Sequence, residues 1–181
     1  MSSITIHEAT AADATRIAAI YGHEVLHGTA TWEYDPPDVP EITRRMEAIL
    51  AAGYPYLVAE DSGLVIGYAY ASSYRARIGY RYTVENSVYI DRAAHGQGIG
   101  KALMIELIAR CEALGFRQMV AVIGDSENHA SIALHTSVGF RHMGTLPALG
   151  YKFDRWLDFV AMQRALGPGD GEPGGQVPGA I

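Results

Sequence analysis

Apolar and polar positions alternate over residues 3–8, the two-residue period of a half-buried strand. The period then changes. Thr10 and Asp13 form a capping-box pair, and Ile17, Ile20, Tyr21 and Val25 recur at helical spacing up to a stop at Gly28. A polar and aromatic connection over 29–37, centred on Trp32, leads into a second helix from about Pro40. That helix carries Ile42, Met46, Ile49 and Leu50 on one face and ends at Gly53. Residues 56–60 and 64–71 read as strands joined by Asp61-Ser62-Gly63, a hairpin turn sequence. After a basic and aromatic connection over 72–82 comes a strand at 83–90, carrying one acid, Glu85. It runs into a loop with glycines at Gly96, Gly98 and Gly100, which opens into a long helix closed by Gly115. Residues 117–123 read as a strand, 128–138 as a helix stopped by Gly139, and the rest through Met162 as strand. The order β-α-α-β-β-β-α-β-α-β-β predicts an α/β (α+β) domain with a mixed sheet.

The single domain is expected to span 1–166. From Gly167 the chain reads GPGDGEPGGQVPGAI, a composition that buries too little surface to offset its ordering entropy, so 167–181 is predicted to be a disordered tail.

Composition narrows the function. With 181 residues and a net charge of −6, one soluble domain with an adequate core is expected, and nucleic acid is a poor partner. The aromatic and basic run from Tyr74 to Tyr82 is thin support for RNA stacking on an acidic protein. The single cysteine, Cys111, excludes an internal disulfide and fits a reducing compartment. There is no signal-peptide pattern and no apolar run near the roughly 20 residues of a membrane span, so a cytoplasmic location without membrane contact is expected.

Chemistry concentrates at 83–101. Glycines let backbone N–H groups converge, and the helix behind them adds about half a positive charge at its N-terminus. That corner suits a phosphate or pyrophosphate. A lone acid one strand-length away points to group transfer beside a phosphorylated cofactor. Spacing alone leaves Glu85 equally placed to be a base or a solvated acid. In the first helix, His23-Glu24-Val25-Leu26-His27 fits HExxH, the pattern of a zinc hydrolase. No further histidine follows at metzincin spacing, and no metal is expected.

Four segments, YRARIGYRYTVENSVYI, HGQGIGKAL, ENHASIALHTSVGF and LGYKFDRWLD, resemble the GNAT superfamily of N-acetyltransferases. The resemblance is nearest to its phosphinothricin and methionine sulfone (methionine sulfoximine) acetyltransferases and covers residues 3 to about 163. It implies a bent central sheet flanked by helices and splayed near Glu85, with acetyl-CoA as co-substrate. On this resemblance Val88 and Ile90 offer backbone bonds to the pantetheine arm, with Tyr89 between them. His95 opens the cofactor-binding loop, Gly96, Gln97, Gly98, Ile99, Gly100 and Lys101 hold the pyrophosphate, and Asn128 contacts the cofactor. His95 stands where the superfamily usually has Gln or Arg. His135 stands where many members place the tyrosine that protonates the departing thiolate, and is the candidate acid. Glu85 becomes the general base for direct attack, with the Val88 N–H on the oxyanion. Arg75 and Arg77 are candidate acceptor-binding groups, with Asn86 and Ser87 near the amine and Trp32 as a pocket wall.

The expected acceptor is the α-amine of a small amino acid such as phosphinothricin, methionine sulfone or methionine sulfoximine, and a homodimer is implied. The alternatives are acetylation of a protein N-terminus or lysine, and a non-catalytic acyl-CoA sensor.

Overall fold

The computed structural model describes residues 4–179. Among them the elements follow the predicted order. They are β1 (Thr5–Glu8), α1 (Ala14–His27), α2 (Val39–Ala51), β2 (Tyr56–Asp61), β3 (Leu64–Ser73) and β4 (Thr83–Ile90). Then come α3 (Ile99–Ala113), β5 (Gln118–Gly124), α4 (His129–Ser137), β6 (Arg141–Lys152) and β7 (Arg155–Ala165). Local chemistry sets the boundaries. The Thr10 backbone N–H donates to the Asp13 carboxylate at 2.7 Å just before α1. Asp38 caps α2 by accepting from the Glu41 N–H, with Pro40 in its first turn. Ser62 and Gly63, at φ 53° and 82°, make the β2–β3 turn, where the twist of the strands favours two left-handed residues.

The strands form one sheet in the order β1-β2-β3-β4-β5-β7-β6. Only the central β4–β5 pair is parallel, and its pairing covers Thr83 to Asn86 alone. Beyond Asn86 the two strands part, and β4 runs on to Ile90 paired with β3 only. This splay is the opening around which the site is built.

Each face of the sheet carries a helical layer. Ile17, Ile20 and Val25 of α1 and Ile42 and Met46 of α2 pack with Tyr56, Val58 and Tyr68 on one side. Leu103, Met104 and Leu107 of α3 pack with Leu57, Ala59, Ala69 and Val84 on the other. Neighbouring β2 residues thus face opposite cores, as strand pleating requires. In β4, Val84 and Val88 face the α3 side. Tyr89 faces α1, edge-on to Tyr21 with ring centroids 5.2 Å apart. Glu85 and Ser87 alternate with the first set and so share the Tyr89 side.

The tail differs from its predicted disorder. Residues 169–171 form a short 3-10 turn, and Val177 is buried in the α3-side core. Pro178 packs at Gly53, where a Cβ would lie 2.8 Å from its ring. One apolar side chain finds a vacancy in the core, which composition cannot reveal. Residues 1–3 and 180–181, the ends of the predicted first strand and tail, lie outside the described residues.

Candidate active site

Two cavities open where β4 and β5 part. A cleft of 940 Å³ runs between the end of β4, α1, the glycine loop and α4. A smaller pocket of 260 Å³ is lined by Glu85, Asn86 and Ser87 of β4, Val122 to Gly124 of β5, and Ala30 to Glu33 from the α1–α2 connection. Ala30, Val88, Tyr89, Asn128 and Ser131 line both, so the two are contiguous.

The cleft has the features an anchored diphosphate needs. Gly96 and Gly98 adopt φ of 75° and 80°, and Gly98 caps α3 without any side-chain bond to its first N–H groups. Those donors, with the helix dipole behind them, face an anion unopposed. Of the residues singled out in the glycine loop, His95, Gly96, Gly98, Ile99, Gly100 and Lys101 line the cleft; Gln97 does not, and bonds the Ala93 carbonyl at 3.2 Å instead. Arg16, Arg92 and Arg155 also line the cleft, Arg16 paired with Asp91 at 2.6 Å and Arg155 with Asp125 at 2.5 Å. The Asp91 N–H bonds the Ile66 carbonyl of β3 at 2.8 Å. Because backbone groups alternate along a strand, those of Val88 and Ile90 point away from β3, into the gap. The ring Nε2 of His95 lies 3.1 Å from the Ile90 carbonyl. Facing a carbonyl, that nitrogen carries the proton, so His95 donates to the strand rather than to an anion in this arrangement.

Glu85 is half-buried beside the splay. Burial raises its carboxyl above the ordinary value of 4.5, and the nearby positive charge of Arg75 pulls it partly back. Arg75 is exposed, lies 5.1 Å over the Tyr74 ring and does not line the pocket. Arg77 is also exposed, precedes a 3-10 turn and does not line the pocket. Trp32 does form a pocket wall.

Asn86 and His135 line the same small pocket and pair with each other. Asn86 points to the α3 side, 5% exposed, and its Nδ2 lies 2.9 Å from His135 Nε2. His135 Nδ1 lies 2.8 Å from the Ser131 carbonyl, so that nitrogen bears the proton. Nε2 of the neutral ring then accepts from the Asn86 amide. Burial lowers the His135 pKa, in keeping with a neutral ring, while the Ser131 bond raises it in part. Both ring nitrogens are engaged, and no proton remains for a thiolate unless the Ser131 bond breaks. Asn86 Oδ1 is left buried without a protein partner.

The HExxH pattern has another use. The rings of His23 and His27 lie 4.7 Å apart, tilted by 53°, on the cleft wall, and Glu24 accepts from the Ala30 N–H at 3.0 Å. Among the described residues no cluster of three or more metal-ligating side chains forms. Cys111 is fully buried, its thiol pushed up to about 12 by desolvation, which removes it as a nucleophile. Sequence reasoning missed Tyr21, Thr31, Glu33 and Ser131. The Tyr21 hydroxyl is 2.7 Å from Thr31 Oγ1 and donates to Glu33 at 2.9 Å, and Arg45 also holds Glu33. Only helical spacing marked Tyr21, and it marked it as core.

Comparison with known proteins decides the family. Residues 6–161 match the acetyltransferase (GNAT) domain. The chain belongs to the GNAT acetyltransferase family. This GNAT chain is 52% identical to a phosphinothricin N-acetyltransferase of Alcaligenes faecalis, over 87% of its own length and 80% of the relative's. It is 44% identical to an L-methionine sulfoximine/L-methionine sulfone acetyltransferase of Salmonella typhimurium, over 90% and 95% of the two chains. A GNAT superfamily phosphinothricin acetyltransferase from Sinorhizobium meliloti, solved in complex with AcCoA, superposes with a TM-score of 0.92 at 49% identity, covering 96% of this chain and 94% of that one.

Proposed function

We propose that this GNAT acetyltransferase moves the acetyl group of acetyl-CoA directly onto the α-amine of a small amino acid of the phosphinothricin, methionine sulfone or methionine sulfoximine type, with Glu85 as general base. The observation that carries this reading is the half-buried Glu85, its carboxyl raised above the usual range, on the wall of a small pocket contiguous with a diphosphate-binding cleft. An amine whose pKa lies two units above the working pH costs about 2.7 kcal/mol to find neutral. Glu85 supplies that deprotonation at the site, directly or through one water. The neutral amine attacks the thioester carbonyl, the N–C bond forms, and the C–S bond breaks to release the thiol. The gap-facing Val88 N–H suits the developing oxyanion. The Ile90 backbone and the α3 N-terminus suit the pantetheine arm and pyrophosphate, with Asn128 on the wall shared with the acceptor pocket.

His135 fits a positioning role: it fixes the Asn86 amide and leaves Asn86 Oδ1 directed to an N–H or S–H donor. Arg75 acts through its field on Glu85 and on an acidic acceptor. A homodimer accords with β6, an edge strand that exposes Met143, Leu146, Leu149 and Tyr151. A cytoplasmic setting accords with the buried, reduced Cys111.

The test is thiol release from acetyl-CoA against free amino acids, the three analogues, a lysine peptide and an N-terminal peptide. Turnover confined to one or more analogues supports the reading, and turnover on the peptides alone contradicts it.

A further inference from the structure

Lys152 is the most unusual charge in the molecule. It closes β6 with 1% exposure, and among the described residues no carboxylate lies within ion-pair distance of it. Its Nζ instead donates to two backbone carbonyls, Gly28 at 2.9 Å and Thr31 at 3.0 Å, and sits 5.0 Å from the Phe153 ring centroid. Those carbonyls belong to the irregular turn that follows α1. The turn is gripped from its other side as well: Glu24 accepts from Ala30 N–H, and the Thr29 hydroxyl donates to the Gly124 carbonyl at 3.4 Å. There is no slack, since a Cβ on Gly28 would lie 1.7 Å from Glu24 Oε1 and one on Gly124 would lie 2.1 Å from the Thr29 carbonyl oxygen. The next residue along, Trp32, packs its ring against Gly150 so closely that a Cβ there would lie 1.8 Å from it.

We infer that Lys152 is a positioning residue for the acceptor pocket: its buried ammonium pins the carbonyls of the 28–31 turn and so sets the wall formed by Ala30, Thr31, Trp32 and Glu33 opposite Glu85. The inference rests on the reading of the 260 Å³ pocket as the acceptor site. An apolar side chain of similar length would fill the space without the cost of burying a charge. It would also leave two carbonyls without a donor in the interior, the larger penalty for a turn with no regular hydrogen bonding. Desolvation lowers the Lys152 pKa, and the fields of Glu24 and Glu33, which flank the turn, support its charged form. Ammonium geometry explains why lysine stands here: its donors rotate to meet two separately placed carbonyls, which a planar guanidinium in a closed site does less readily.

The experiment compares Lys152→Met, which keeps length but no donor, with Lys152→Gln, which keeps a donor, against wild type and Glu85→Gln. All are read for acceptor KM, acetyl-CoA KM and kcat. Trp32 emission is recorded in a Trp156→Phe background. The expected result for Lys152→Met is an acceptor KM raised at least tenfold, acetyl-CoA KM changed less than threefold, and a red shift of Trp32 emission. Lys152→Gln is expected between it and wild type, and carries the test alone if Lys152→Met does not fold. A folded Lys152 variant with wild-type acceptor KM and Trp32 emission overturns the inference and leaves the pocket reading standing. The pocket reading falls separately, and the inference with it, if Glu85→Gln retains wild-type kcat.

Discussion

In the proposed reaction, Glu85 and Arg75 set the proton chemistry between them. Burial holds the Glu85 carboxyl above its ordinary range, and the Arg75 charge opposes that rise. Activity that needs the carboxylate falls as pH drops through the folded value. Replacing Arg75 by Gln removes the opposing charge, so the acid limb of kcat/KM is expected to move to higher pH; an unmoved limb in a pH–rate series would mean that Arg75 does not reach Glu85. The same shift bears on folding. A raised carboxyl binds its proton more tightly in the fold, so its contribution to stability is present below the unfolded value and lost as pH rises through the folded one. His135 runs the other way: its lowered pKa contributes above 6.5 and is lost as pH falls through the folded value.

At the scale of elements, the glycine loop and the turns carry the argument. Gly98 has φ 80° with open space where a Cβ would stand, so an alanine meets conformational strain rather than a clash. Gly98→Ala is expected to cost about 1–2 kcal/mol of stability and to raise acetyl-CoA KM. Gly63→Ala, equally left-handed and equally unobstructed in the β2–β3 turn, should cost similar stability and leave that KM unchanged. Thermal melts with both KM values separate the two effects. The Gly63 turn was legible because Asp-Ser-Gly is turn chemistry, and β4 was legible because an apolar run ended in glycines. The β6–β7 turn was not: Phe153 and Asp154 hold φ of 53° and 57°, and although Asp tolerates that region, Phe does not signal it. Asp154→Gly should therefore stabilise the fold by up to about 1 kcal/mol, seen as a higher melting temperature.

For the whole molecule, helical and strand periods revealed the order of the elements, because each helix needs one apolar stripe and each strand alternates; the helix-flanked sheet was implied by the family resemblance. What they could not reveal depends on residues distant in sequence. The α1–α2 connection is held as a pocket wall by groups far along the chain, among them Lys152, 121 residues beyond Thr31. The Asn86–His135 pair, 49 residues apart, likewise joins β4 to α4 only in the folded chain. The twelve-residue β6 sits at the sheet edge with apolar side chains in solvent, an edge that invites pairing unless covered. Leu149→Lys is expected to shift a dimer towards monomer in sedimentation, whereas an unchanged mass would place the dimer contact elsewhere. Whether Glu85 deprotonates the acceptor is read from the pH dependence of kcat/KM for wild type and Glu85→Gln on the best amino-acid analogue. The expected result is a rate lower by roughly 10²- to 10⁴-fold and the disappearance of the acid limb in the variant. A variant that keeps both the rate and the limb would contradict Glu85 as the base.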